Sequence, residues 1–345
     1  MNEKKKIGSG RDENRVPLYK VVPLKVPFSI GIGTSDFCNF RCNYCAQSTS
    51  KGIGITPQIL SWDKFVNIIS QIEEMLEKNG VDRIKNFQIC GIGEPLICKE
   101  VPQMISYVKK RGISDRIELT TNASLLTHEL SKDLIAAGLT RLLISVQGVN
   151  KEAYKQICGY DIDFERFVEE IGYFYQNKKT CSVYIKIADV ALQDGQDELF
   201  YDIFSPIADM VNIEQIMDGF TNVDYTGMIE KNRKKTRYGY DWKERICCDS
   251  LFMRMNIASN GDVNACGCQW PGLPIGNINK KTLDQIWNGE VHKKYMQLHT
   301  SGNRNMIVKC RDCESISYAG HPMDDLDEHL DEILERINRL YDNEY

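Results

Sequence analysis

The sequence predicts an α/β protein: a partial (β/α)6 barrel of the TIM type, followed by a small cysteine-rich C-terminal domain. Three observations carry this. From about residue 28 to about residue 217, short apolar runs alternate with segments of helical periodicity. About six strands fit in that stretch, and such alternation implies parallel strands joined by right-handed crossovers, too few for a closed eight-stranded barrel. The pattern then breaks near residue 225, and most of the later cysteines fall between residues 247 and 313.

Residues 1–27 read as a polar, Pro-containing N-terminal extension. Ser29–Thr34 is the first expected strand. Trp62–Lys78 has helical spacing of Phe65, Ile68, Ile69, Ile72, Met75 and Leu76, with Ser61 as its N-cap. Strands at Asn86–Cys90, Arg116–Thr121, Arg141–Gln147, Ser182–Val190 and Met210–Met217 alternate with helices at Val101–Lys110, His128–Ala137, Phe164–Tyr175 and Glu198–Ala208. Lys231–Arg245 is polar and basic, and reads as a linker. Ile257–Val263 reads as a hairpin turning at Asn260-Gly261. The amphipathic tail (Leu326, Leu330, Ile333, Leu334, Ile337, Leu340) is expected to form a closing helix. The domains expected are the extension (1–27), the barrel (28–235), the cysteine-rich domain (236–323) and the terminal helix (324–345).

Composition narrows the function. The 345-residue chain has a net charge of −5 and a pI near 5.7, which argues against nucleic acid as a partner. No apolar run is long enough to span a membrane, and no apolar h-region follows the basic N-terminus. Thirteen cysteines without an export signal suggest a reducing cytoplasm and metal-binding thiols rather than disulfides. Cys90, Cys98, Cys158 and Cys181 are scattered and read as buried small hydrophobes.

Cys38-Asn-Phe-Arg-Cys42-Asn-Tyr-Cys45 places three thiols within eight residues, just after the first strand. In an iron–sulfur cubane each of four irons takes one thiolate, so three leave one iron open. Tetrahedral zinc would want a fourth ligand, and the nearest histidine in sequence is His128.

This Cys-x3-Cys-x2-Cys spacing, with an aromatic before the last cysteine, resembles the signature of radical S-adenosylmethionine (radical SAM) enzymes. The resemblance implies a SAM-binding [4Fe-4S] cluster on Cys38, Cys42 and Cys45, with Tyr44 beside the adenine. It also implies S-adenosyl-L-methionine as cofactor, cleaved to a 5′-deoxyadenosyl radical. Gly91-Ile92-Gly93-Glu94-Pro95 resembles the family's SAM-ammonium motif, with Ile92 inserted between the glycines. Glycines permit close backbone approach, and an ammonium wants acceptors. Thr121 and Asn122 after the third strand, and Ser145 and Gln147 at the fourth, fall where relatives contact SAM or substrate, although many have Asp where Gln147 stands. Lys186 on the fifth strand is a candidate catalytic residue, facing either a SAM or substrate anion or a structural partner such as Asp189 or Glu214.

Cys248, Cys266, Cys310 and Cys313 form the second candidate metal site. Their spacing suits zinc or a fully ligated iron–sulfur cluster and does not choose between them. Cys-x(9–15)-Gly-x4-Cys, here Cys248, Gly261 and Cys266, resembles the start of the SPASM and twitch domains of radical SAM enzymes. Gly276-Asn277-Ile278 and Leu283–Trp287 resemble that domain's linker phrase. No cysteine follows Cys313. The resemblance therefore implies one auxiliary [4Fe-4S] cluster rather than two. Cys247 and Cys268 remain as substitute ligands, hydrogen-atom donors to a substrate radical, or incidental thiols.

Single-auxiliary-cluster relatives include an aminocyclitol dehydrogenase, so dehydrogenation or epimerisation of a sugar or cyclitol alcohol is the leading expectation. A flavodoxin- or ferredoxin-type electron donor is implied. Modification of a peptide or protein side chain is the alternative, disfavoured by the short stretch of about 27 residues ahead of the first strand. A non-catalytic metal scaffold is the third reading.

Overall fold

The computed structural model describes residues 7–8, 15–49, 53–220, 223–229, 234–266 and 272–342. Six strands form the barrel wall: β1 (Ser29–Ile32), β2 (Ile84–Ile89), β3 (Ser114–Thr121), β4 (Arg141–Val146), β5 (Ser182–Ala188) and β6 (Met210–Glu214). They pair in sequence order and all in parallel. The helices between them are α1 (Trp62–Lys78), α2 (Val101–Arg111), α3 (His128–Ala137), α4 (Lys151–Cys158), α5 (Phe164–Asn177) and α6 (Asp197–Phe204). This is the α/β partial barrel the sequence predicts.

Local chemistry explains these elements. The Ser61 side chain accepts the Lys64 N–H and caps α1, whose expected apolar stripe is fully buried. Asn150 caps α4 through the Ala153 N–H, and Gly159 ends that helix at φ +64°.

The sheet does not stop at β6 and β1. Strand β7 (Arg254–Ile257) follows a short helix, α7 (Ser250–Met253), and pairs in parallel with β1. Strands β8 (Asp262–Asn264) and β9 (Pro274–Asn277) continue the sheet in antiparallel fashion. The expected hairpin is therefore present, and Gly261 at its turn has φ +91°. A Cβ there would come 2.9 Å from Ile278 and Asn279 side-chain atoms. The cysteine-rich segment thus extends the barrel's own sheet to nine strands. Helices α8 (Leu283–Trp287), α9 (Glu290–Thr300), α10 (Val308–Arg311), α11 (Ser315–Ala319) and α12 (Leu330–Asp342) complete the fold. Trp287 anchors α8, with its ring buried and its indole N–H donating to the Leu24 carbonyl at 2.7 Å.

Candidate functional site

The first cysteine loop leaves the C-terminal end of β1, the end at which barrel enzymes place their chemistry. Its backbone is tied to α4: the Arg41 N–H donates to the Cys158 carbonyl and the Asn43 N–H to the Ile157 carbonyl, each at 2.9 Å. The last carbonyls of a helix have no partners within it, so the loop satisfies them. Phe40 plugs the loop into the core, edge-on to Tyr154 at 5.9 Å. Cys158 is buried as expected, and its thiol donates to the Tyr154 carbonyl at 2.9 Å.

Cys38, Cys42 and Cys45 lie within electrostatic reach of one another. Burial pushes the Cys38 thiol up to about 11. Asn122 Nδ2 lies 4.0 Å from Cys38 Sγ and 3.0 Å from Asn39 Oδ1. Ala123, just beyond it, has φ +60°, a conformation that costs a residue with a Cβ.

The glycine motif meets this loop directly. A Cβ on Gly93 would press into the carbonyl oxygens of Ser35 and Phe37 and lie 2.7 Å from the Asp36 carbonyl carbon. The Glu94 N–H donates to the Phe37 carbonyl at 2.8 Å. The Glu94 carboxylate is buried and accepts from Leu96 N (3.0 Å), Thr121 Oγ1 (2.6 Å) and Asn122 N (2.7 Å). Burial raises its pKa, and those three donors oppose the rise. Glu94 thus ties the motif to the end of β3. Pro95 is buried behind it and opens a short 3-10 turn.

A cavity of about 540 Å³ opens at this end of the barrel. Cys42, Tyr44, Cys45, Gly91, Ser145 and Gln147 are on its wall. The Tyr44 hydroxyl donates to Gln147 Oε1, and Gln147 Nε2 donates to the Ser145 carbonyl at 3.1 Å. Gln147 therefore fixes the tyrosine of the cysteine loop. Cys90 also lines this cavity, whereas Cys98 and Cys181 are core residues as expected.

Lys186 faces the same space, and its partner is Glu214 at 3.0 Å rather than Asp189. Arg237 closes on the same carboxylate, and Tyr184 Oη donates to it at 3.0 Å. Burial pushes the Glu214 carboxyl up, but Arg237 and Lys186 outweigh it and hold the group at about 2. Arg237 comes from the stretch expected to be a linker. The described part of that stretch, from residue 234, brings Arg237 to the cavity wall, with the Arg237 N–H donating to the Tyr318 carbonyl at 3.0 Å.

The second site is a cavity of about 30 Å³ whose wall includes Cys248, Cys266, Cys310, Cys313 and His299. Arg304 donates to the carbonyls of Cys310 and Cys313, which sets the turn between them. Burial pushes the Cys310 thiol up to about 12, with Cys266 and Cys313 adding to the rise. Among the described residues, no three His, Cys, Asp or Glu side chains converge as a site for a single ion. Four thiols around one small cavity are a donor set that tetrahedral zinc or a fully ligated iron–sulfur cluster can use. Cys266 lines both this cavity and the large one.

Cys247, read as a substitute ligand, a hydrogen-atom donor or an incidental thiol, lies away from both cavities. It is 1% exposed, packs in the core and lines neither cavity, and its N–H is held by Asp327 at 3.0 Å. Burial, with Asp327 and Asp249 nearby, pushes its thiol up. Cys268 lies outside the described residues. Reading the sequence alone missed Arg237 and His299. Nothing in the local pattern marks either, since each reaches its site from a segment distant in sequence.

Two family models match this arrangement. Residues 32–193 match the radical SAM superfamily, and residues 247–314 match SPASM, an iron–sulfur cluster-binding domain. The chain carries a radical SAM domain followed by a SPASM domain, and is a radical SAM enzyme. Its cofactors are S-adenosylmethionine, the SAM-binding [4Fe-4S] cluster and an auxiliary cluster.

Among curated proteins, a probable GTP 3′,8-cyclase of Methanococcus vannielii is 37% identical over 48% of this chain and 51% of its own. The GTP 3′,8-cyclase of Gloeobacter violaceus is 37% identical over 38% of each chain. The chain thus spans about half of one of these relatives and about two fifths of the other. Among solved structures, BtrN in complex with AdoMet and 2-DOIA is 14% identical, with a TM-score of 0.55, over 86% of this chain and 96% of that one. Native anSMEcpe with bound AdoMet is 14% identical, with a TM-score of 0.57, over 92% and 100%. Streptococcus suis SuiB bound to S-adenosylmethionine is 17% identical, with a TM-score of 0.51, over 79% and 66%. These three share the fold. No helix among the described residues is long and apolar enough to cross a membrane.

Proposed function

We propose that this enzyme oxidises a polar small molecule, a sugar or cyclitol alcohol, to its ketone: a hydrogen atom leaves the carbon that bears the hydroxyl, the hydroxyl proton passes to water in the open cavity, and the remaining electron goes to the auxiliary cluster. The observation that carries the reading is Cys266, which lines both the large cavity and the small four-cysteine cavity. A substrate in the large cavity would lie against the wall of the auxiliary site. We assign Cys38, Cys42 and Cys45 to the SAM cluster, and Cys248, Cys266, Cys310 and Cys313 to the auxiliary cluster. When bound, SAM and its cluster supply the 5′-deoxyadenosyl radical, and the auxiliary cluster supplies an acceptor for the substrate's remaining electron.

The chain's own groups then have defined tasks. Gln147 and Tyr44 shape the wall beside the cysteine loop. Gly93 lets the glycine motif approach that loop, and Glu94 braces it against Thr121 and Asn122. Lys186 has one donor engaged by Glu214, and its ammonium offers two more to a substrate oxygen. Glu214, ionised down to about pH 2, is a poor proton acceptor at neutral pH, so it serves to hold Lys186 and Arg237. We place the barrel at residues 28–235 and the auxiliary domain at 236–323. The electron for SAM cleavage would come from a flavodoxin- or ferredoxin-type donor.

The GTP 3′,8-cyclase relatives supply the competing small-molecule class, a purine nucleotide. Anaerobic reconstitution with SAM and reductant tests the choice, with carbon-deuterated polyols, GTP or peptides as co-substrates. Deuterium from a polyol carbon appearing in 5′-deoxyadenosine, with the matching ketone formed, supports the reading. Deuterium transferred only from GTP or from a peptide overturns it.

A further inference from the structure

The small cavity has one wall that is not a thiol. His299, in the last turn of α9, lines it and is 1% exposed. The backbone N–H of Cys248 donates to His299 Nδ1 at 3.3 Å. A nitrogen that accepts a hydrogen bond carries no proton, so the ring proton is assigned to Nε2. Nε2 is buried and has no hydrogen-bond partner among the described residues. A buried donor without an acceptor is destabilising. Such an atom in the wall of a ligand site marks where an acceptor on the ligand belongs.

We propose that His299 donates its Nε2–H to a sulfur of the auxiliary iron–sulfur cluster and so raises that cluster's reduction potential. The proposal rests on the assignment of Cys248, Cys266, Cys310 and Cys313 to that cluster. The tautomer excludes the other role open to a histidine here. With Nδ1 engaged by a backbone N–H and Nε2 protonated, the ring has no lone pair for iron. The tie to Cys248 also fixes the ring's orientation, because the same residue supplies both the backbone donor and a cluster thiol. Hydrogen bonds to cluster sulfurs withdraw charge and favour the reduced state. A cluster that takes an electron from substrate needs that bias. His299 is therefore a positioning and tuning residue, not a catalytic one.

The test uses the full-length chain reconstituted with iron and sulfide. A Cys42→Ala, Cys45→Ala background isolates the auxiliary signal, and His299→Phe and His299→Gln are added to it. The Phe variant should keep its iron and shift the midpoint potential downward. The expected size is about tenfold in the reduced-to-oxidised ratio, or about 59 mV for one electron. Gln, which keeps an N–H donor, should recover much of the shift. An unchanged potential in the Phe variant overturns the proposal. So does loss of the auxiliary iron from both variants, which would make His299 a ligand.

A second readout needs no variant. In the reduced protein carrying 15N-histidine, a weak nitrogen coupling to the cluster supports a hydrogen bond, whereas a strong coupling or none overturns it. If the unmutated chain binds only about four irons, one cubane's worth, the auxiliary-cluster assignment itself has failed. That result is distinct from a cluster that is present but indifferent to His299.

Discussion

Lys186 Nζ lies 3.0 Å from Glu214 Oε2, across two neighbouring strands of the barrel. Arg237 reaches the same carboxylate from beyond the last barrel strand. One buried acid thus links the strand that carries Lys186 to the segment that carries Arg237. Two cations share one carboxylate, so removing it leaves both without their central partner.

The first prediction concerns Glu214 and pH. Its folded-state carboxyl titrates at about 2 against an ordinary value of 4.5. The folded state therefore binds the proton less readily than the unfolded state. The resulting stabilisation is present above about pH 4.5 and is lost as pH falls toward 2. Its size is roughly 3 kcal/mol. Urea unfolding of wild type and Glu214→Gln should show a gap of about 3–5 kcal/mol at pH 7 that narrows toward pH 3. A gap that stays constant across this range would show that the pair does not set the acid's ionisation.

Much of this architecture is legible in the sequence because it is periodic. Trp62–Lys78 shows its buried stripe and its serine cap, and the structure returns the same bounds. Helix α4 was missed because it is only eight residues long and buries just Ala153, Tyr154 and Cys158. The β1–β7 pairing was not readable, since Ser29 meets Arg254 and no local pattern records a partner so distant in sequence. The two cysteine groups are visible from spacing alone. Their surroundings are not: Arg237 looks like part of a basic linker, and His299 like one polar residue of a helix. Tertiary contacts, not local pattern, give these two their roles.

The second prediction tests the anchor of the first cysteine loop. Phe40 is buried against Tyr154 and Tyr160 and connects the loop to the core. Phe40→Ala should cost about 3–5 kcal/mol. It should also lower iron retention at the SAM cluster more than at the auxiliary site. Iron counts after anaerobic dilution, in backgrounds lacking one or the other set of cysteines, measure this. Equal loss from both sites would indicate global destabilisation instead.

A third prediction follows from the packing of the glycine motif. A methyl group on Gly93 would collide with backbone of residues 35–37, which cannot swing aside as a long side chain can. Gly93→Ala should therefore cost about 1–3 kcal/mol and displace the cysteine loop. SAM affinity, read by equilibrium binding to the reconstituted protein, should fall. Gly112→Ala serves as the comparison: its Cβ would meet nothing within 4 Å among the described residues, but Gly112 has φ +66°. That variant should lose stability through backbone strain alone and keep its SAM affinity. If both variants bind SAM equally, the close approach at Gly93 has no bearing on the cofactor.

The last prediction separates the two clusters. Cys248 and Cys310 come from opposite ends of the C-terminal segment and meet at the small cavity. A Cys248→Ala, Cys310→Ala variant should drop from about eight irons to about four, one cubane's worth. Both side chains lie outside the first cysteine loop, so reductant-driven cleavage of SAM to 5′-deoxyadenosine should persist. Oxidised product should not form, because the electron left on the substrate has no acceptor across the shared wall at Cys266. Nucleoside formation without product would place the auxiliary site after radical generation. Loss of both activities together, with the first cluster intact by iron count and spectrum, would instead make the second site necessary for SAM cleavage itself, and the direction of electron flow proposed above would have to be reversed.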